Sequence, residues 1–144
     1  MTRLPPSIVV DASVAVKWVI AEADSAQARA VAYGRTLLAP ELLLVECANI
    51  LWKHQRRGEV GPDIGTAAFM TLRMAPFVWT HDADLVDDAR RLSAELDHPV
   101  YDCLYLALAL RHGVPVITAD RRFADVARKS PALSGSLVAL GALA

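Results

Sequence analysis

Four acidic residues stand where an acid needs an explanation. Asp11 closes the apolar run that begins at Ser7, and Asp120 follows the run that ends at Thr118. Glu46 and Asn49 are the two polar residues between Leu42 and Trp52, and Asp102 is the one charged residue between Val100 and Leu110. A carboxylate on so apolar a helix is costly to bury unless it is paired, protonated or bound to a metal. The plainer alternative for each helix acid is a salt bridge to an arginine, or a helix edge that reaches water. For Asp11 and Asp120 it is a helix N-cap, a role Asp fills readily. Taken together, two strand-end and two helix carboxylates with no histidine among them make an all-oxygen donor set. Hard cations such as Mg²⁺ or Mn²⁺ prefer that set, whereas zinc sites recruit His or Cys. Such ions offset phosphate charge, acidify a bound water and stabilise a leaving oxygen. The chemistry indicated is phosphoryl chemistry. Without a metal the four acids repel one another, so at least one is expected to hold its proton above the usual carboxylate range.

The neighbouring polar residues fit less specifically. Asn49 is three residues from Glu46 and shares its helix face. Basic residues able to hold a nucleic-acid backbone occur in small groups: Lys53, Arg56 and Arg57 at one helix end, and Arg121 and Arg122 beside Asp120. Each is equally a solvated helix end. His54, His81, His98 and His112 show no metal-ligand spacing and are expected at the surface. Cys47 and Cys103 lie in apolar runs and read as small buried hydrophobes in a reducing compartment.

The elements that must position these acids follow from punctuation and period. Ser7 to Val10 reads as a buried parallel strand, because two covered faces demand continuous apolar residues. Helical character runs from Val14 to Ile20 and from Ser25 to Tyr33. A strand follows over Thr36 to Ala39, then a helix to about Arg57 in which Pro40 suits the first turn. Pro62 to Met74 predicts a helix, Phe77 to Thr80 a strand, and Asp82 to Leu96 a helix with Leu85, Val86, Ala89 and Leu92 on one face. The remainder predicts a helix over Val100 to His112, a strand over Pro115 to Thr118 and a helix over Asp120 to Lys129. Ser136 to Leu140 closes as an edge strand. Alternating short strands and helices imply an α/β fold, a three-layer α/β/α sandwich on a mostly parallel sheet of four to five strands. In such sheets ligands bind beyond the carboxyl ends of the strands, which is where Asp11 and Asp120 fall.

The bulk numbers agree with one ordinary domain spanning residues 1–144, and 54% hydrophobic residues supply a sizeable core. Lys+Arg and Asp+Glu nearly cancel, at 15 and 16, so nucleic-acid binding by bulk charge is excluded and any such contact must be local. The apolar amino terminus is interrupted by Asp11 and Lys17 and reads neither as a signal peptide nor as a membrane span. A cytoplasmic protein is expected.

Four segments resemble, in order, the successive signatures of the PIN-domain family. They are Ile-Val-Val-Asp-Ala-Ser-Val-Ala-Val-Lys-Trp, Pro-Glu-Leu-Leu-Leu-Val-Glu-Cys-Ala-Asn, Tyr-Asp-Cys-Leu-Tyr-Leu-Ala-Leu-Ala and Thr-Ala-Asp-Arg-Arg-Phe. The short length is similar to the VapC-type toxins of prokaryotic toxin–antitoxin pairs. The resemblance implies a Mg²⁺- or Mn²⁺-dependent endoribonuclease whose acidic quartet falls on Asp11, Glu46, Asp102 and Asp120. It also implies hydroxyl positions at Ser13 and Thr118, a polar position at Asn49, an RNA substrate, a cognate antitoxin and a homodimer. Cys103 departs from the small residue usual after the third acid. The competing expectation is a PIN-fold module without catalysis that binds RNA or protein, though such a module would have lost an acid. A phosphoaspartyl hydrolase would want a second Asp where Ser13 stands, and a receiver domain a lysine where Ala119 stands.

Overall fold

The computed structural model describes residues 3–143. Five strands form one sheet: β1 (Ser7–Val10), β2 (Thr36–Pro40), β3 (Phe77–Thr80), β4 (Val116–Thr118) and β5 (Leu137–Ala139). Their spatial order is β3-β2-β1-β4-β5, and every neighbouring pair is parallel. The chain first winds outward from β1 to β3, then crosses back to β4 and winds the other way. With right-handed crossovers, that reversal sends the connecting helices to opposite faces of the sheet and gives three layers. It also makes the gap between β1 and β4 the switch point of the sheet, where ligands bind in folds of this kind.

The helices are α1 (Ala12–Ala15), α2 (Ser25–Ala32), α3 (Leu42–Arg56), α4 (Pro62–Met74), α5 (Asp82–Leu96), α6 (Val100–His112) and α7 (Arg121–Ala124). α6 is buried without interruption from Cys103 to Ala109, packed against β1, β2 and β4 on one side and α5 on the other. A helix apolar all round can only be a core helix, so the Leu-Tyr-Leu-Ala-Leu-Ala run fixes its place. The strands β1 and β4 are likewise covered on both faces, whereas the edge strand β3 leaves Val78 and Trp79 partly in solvent.

Several boundaries differ from the sequence reading. Pro40 ends β2 opposite Thr80 instead of starting the helix, which begins at Leu42. Thr36 donates its N–H toward β1 and Glu41 toward β3, so by alternation the missing N–H of Pro40 would have pointed at β1. Pairing of β1 with β2 ends at Val9 and Leu38, and no ladder bond is lost there. The helix expected to reach Ile20 is a short α1 followed by a single 3₁₀ turn, Val16–Trp18. The one expected over Asp120 to Lys129 likewise tightens to 3₁₀ after Ala124. Val86 is 44% exposed and lies off the buried face of α5 that holds Leu85 and Ala89.

α6 ends at Gly113, whose φ of 65° is the left-handed conformation that closes the last turn. Gly113→Ala should therefore lower stability by about 1 kcal/mol or slightly more, with no clash to relieve. In urea the midpoint should fall while the slope stays constant.

Candidate active site

β1 delivers Asp11 to the carboxyl edge of the sheet, next to the end of β4. Only 5% of the residue is exposed. Both of its oxygens are held by hydroxyls. Ser13 Oγ donates to Oδ1 at 2.5 Å and Thr118 Oγ1 donates to Oδ2. Each hydroxyl in turn accepts a backbone N–H from the chain leaving β4, Ala119 N–H to Ser13 at 2.9 Å and Asp120 N–H to Thr118 at 3.0 Å. The Val14 N–H also reaches Oδ1, at 3.3 Å, so Asp11 is at the same time the N-cap of α1. Burial pushes its carboxyl up from 3.8 to about 7, against the opposing hydrogen bonds from Ser13 and Thr118 and with the charge of Asp102 adding to the rise.

The two helix acids come from the two layers flanking the sheet. Glu46, one turn into α3, accepts the Tyr105 hydroxyl at 2.5 Å, and Tyr105 is fully buried on α6. Burial raises the Glu46 pKa, and the charges of Asp102 and Asp82 add to it while the Tyr105 bond opposes. Asp102, in the first turn of α6, takes a hydrogen bond from His98 Nε2 at 2.7 Å. Its pKa is also raised, first by burial and further by the charge of Asp120, with His98 pulling the other way. Asp120 is exposed at the start of α7 and caps that helix, its Oδ1 accepting from the N–H groups of Arg122 at 2.9 Å and Phe123 at 3.4 Å. Asp102 thus feels Asp120 and is felt by Asp11 and Glu46. The four acids share one electrostatic neighbourhood with Asp102 at its centre.

As the side chains stand, no three His, Cys, Asp or Glu among the described residues are gathered tightly enough to hold an ion. Each acid instead turns to a donor of the protein. The chemistry of the set still fits a hard divalent cation. It is carboxylate throughout, and three of its members are desolvated and hold their protons above the usual range.

The other residues singled out from the sequence divide. Ser13 and Thr118 grip Asp11 directly. Asn49 is exposed and makes no side-chain hydrogen bond among the described residues, so it shares only the helix of Glu46. Lys53, Arg56 and Arg57 are exposed two to three turns beyond Glu46, with the Arg56 guanidinium 5.3 Å from the Trp52 ring centre and Arg57 4.0 Å from Glu59. Arg121 and Arg122 are exposed immediately beyond Asp120. Cys47 and Cys103 are free and buried as expected.

One expectation is corrected. His98 is not a surface residue but 8% exposed, its ring stacked on Phe123 at 5.5 Å. His54 is also drawn in, between Glu59 at 2.5 Å and Glu22 at 3.6 Å. Tyr105, His98 and Asp82 were the site neighbours missed. Tyr105 and His98 lie three after and four before Asp102, and Asp82 follows β3 as Asp120 follows β4, its Oδ1 capping Leu42 N–H at 3.1 Å. Helical spacing and strand-end position were the signals available.

The comparisons with known proteins agree on one family. A family model described as PIN domain matches residues 8–129. Ribonuclease VapC3 from Pyrobaculum aerophilum is 35% identical over 134 residues, which is 88% of this chain and 96% of that protein. The crystal structure of PAE2754 from the same organism superposes with a TM-score of 0.66 at 23% identity, covering 95% of this chain and 85% of that one. That of VapC20 from Mycobacterium tuberculosis, described as a sarcin–ricin-loop-cleaving toxin, superposes with a TM-score of 0.63 at 19% identity, over 81% and 92%. At those identities the two structures speak for the fold.

The raised carboxyls give a pH test. A proton held to about pH 7 in the native state but released near 3.8 otherwise favours folding at low pH. That advantage is full below about pH 4 and is lost as pH rises through about 7. In chelator, urea melts should show wild-type stability falling from pH 5 to pH 8, and the fall should be shallower in Asp11→Asn. Equal slopes in the two proteins would clear Asp11 of the effect.

Proposed function

The chain belongs to the PIN-domain family, and on that premise we propose that it is a divalent-metal-dependent endoribonuclease, the toxin of a toxin–antitoxin pair. It cleaves RNA phosphodiester bonds, in keeping with its 35% identity to a ribonuclease over nearly the whole of both chains. The observation that carries the reading is the burial of Asp11 at the switch point of the sheet, inside the electrostatic neighbourhood of Glu46, Asp102 and Asp120.

In this reading Asp11, Glu46, Asp102 and Asp120 hold the cation, Mg²⁺ or Mn²⁺, directly or through water. Bound there, such an ion offsets phosphate charge and acidifies water for attack on phosphorus. The chain's own part is to hold the acids. Ser13 and Thr118 fix both oxygens of Asp11, and the Tyr105 hydroxyl fixes one oxygen of Glu46. Asp120 commits Oδ1 to its helix cap. Asn49 supplies a polar position on the exposed side of α3. Arg121 and Arg122, beside Asp120, and Lys53, Arg56 and Arg57, along α3, lie where local positive charge can meet an RNA backbone that bulk charge does not attract.

The partner is an antitoxin, and its apolar residues lie on α3, where Val45 and Trp52 are 67% and 51% exposed. Trp18, also near this face, has its indole N–H spent on Ala28 O and its ring stacked on Phe77, and so offers the partner less than α3 does. A basic antitoxin side chain facing the acids would relieve their repulsion. On this reading the protein acts as a homodimer in the cytoplasm. Among the described residues no helix is long and apolar enough to cross a membrane.

Purified protein should cut RNA with Mg²⁺ or Mn²⁺ and lose the activity in chelator. Asp11→Asn, Glu46→Gln, Asp102→Asn and Asp120→Asn should each stay folded and lose at least about a hundredfold in rate, since even residues that merely support metal ligands are worth 10–100-fold. A folded wild type that binds RNA without cutting it would favour the non-catalytic module instead. In cells, expression of wild type alone should arrest growth, and equal expression of Asp102→Asn should not. Harmless expression of soluble, RNA-cleaving protein would refute the toxin role.

A further inference from the structure

His98 sits outside the acidic quartet yet joins two of its members. It occupies the short connection between α5 and α6, just before Pro99, and is nearly inaccessible. Its Nε2 meets Asp102 Oδ2 at 2.7 Å, four residues on. Its ring lies flat against Phe123, with 15° between the planes. Phe123 belongs to α7, and its backbone N–H is one of the two that Asp120 caps. The backbone of His98 is tied down as well, its N–H donating to Ser93 O at 3.2 Å and its carbonyl accepting from Ser93 Oγ at 2.6 Å. A histidine fixed at its backbone, ring face and ring nitrogen has almost no freedom left.

Asp120 carries the same charge as Asp102 and adds to the cost of ionising it. We propose that His98 is a positioning residue whose Nε2 hydrogen bond aims Asp102 at the cation. An ionised carboxylate only accepts, so Nε2 must carry the hydrogen and donate it. The bond consumes Oδ2 and leaves Oδ1 as the oxygen free to face a cation. Without it the Asp102 carboxylate can rotate, and the entropy of fixing it is charged to metal binding. This inference rests on the metal-dependent reading above, and it predicts an effect on affinity for the bare ion before any RNA is present.

The test is Mn²⁺ titration calorimetry on wild type, His98→Gln, His98→Met and His98→Asn, with melting temperatures in chelator for each. Gln places an amide N–H near the position of Nε2, Met keeps bulk without a donor, and Asn carries a donor too short to reach. Relative to wild type, Met and Asn should raise the Kd by about 10–100-fold, and Gln should stay within a few-fold. Asn carries the test where Met does not fold. A folded Met or Asn variant with wild-type Kd overturns the proposal, and so does a folded Gln variant as weak as either, because then ring shape and not the donor matters. Failure of wild type itself to bind Mn²⁺ would instead remove the metal-dependent reading beneath it.

Discussion

Two hydroxyls tie the end of β1 to the end of β4, and the acid between them governs what the surrounding structure must provide. Asp11 is a carboxylate almost shut off from water at the centre of a parallel sheet. Ser13 and Thr118 each donate to one of its oxygens, and each accepts a backbone N–H from the chain leaving β4. No buried side-chain polar atom among the described residues is left without a partner, and the three neutral donors to Asp11 offset part of its desolvation cost. The remainder appears as a carboxyl raised to about 7. A positively charged side chain would have removed that strain, yet the groups around Asp11 are hydroxyls and further acids. Such an arrangement accords with the cation proposed above, which would come from outside the chain.

The flanking layers meet the same demand in different ways. α3 is amphipathic, burying Leu43, Cys47 and Leu51, and carries Glu46 beside that face. α6 is apolar nearly throughout, so its one acid can only lie at the first turn, where the helix emerges at the edge of the sheet. Tyr105 ties the two helices, reaching from the buried body of α6 to Glu46. The aromatic ring contributes to the core and its hydroxyl to the site, a division of labour usual for buried tyrosine.

For the strand-end acids, the structural role and the proposed functional one fall on the same side chain. Asp11 and Asp120 are both helix N-caps, as the plainer reading required. Capping uses one oxygen of Asp120 and leaves the other, and it holds the carboxylate at the mouth of the switch point. A helix that starts directly after a parallel strand brings both functions to one place, because the strand end is where ligands bind and the helix start is where an acid is stabilising.

What the sequence determined by itself was periodicity, punctuation and cost. Pro62, Met74, Phe77, Thr80, Asp82, Leu96, Val100 and His112 bound elements as read from the chain, because proline, glycine and apolar runs act on their own few residues. The four acids were legible because a charge in an apolar run is expensive wherever the run ends up. Tertiary structure alone decided which donors those acids meet. Nothing local marks Tyr105 as the partner of Glu46, 59 residues away, or Thr118 as that of Asp11, 107 residues away. His98 looked like a surface residue beside a proline until Phe123 was folded against it from α7. Burial and pairing depend on what the rest of the chain brings to a position, and the spacing of neighbours along the sequence does not carry that information.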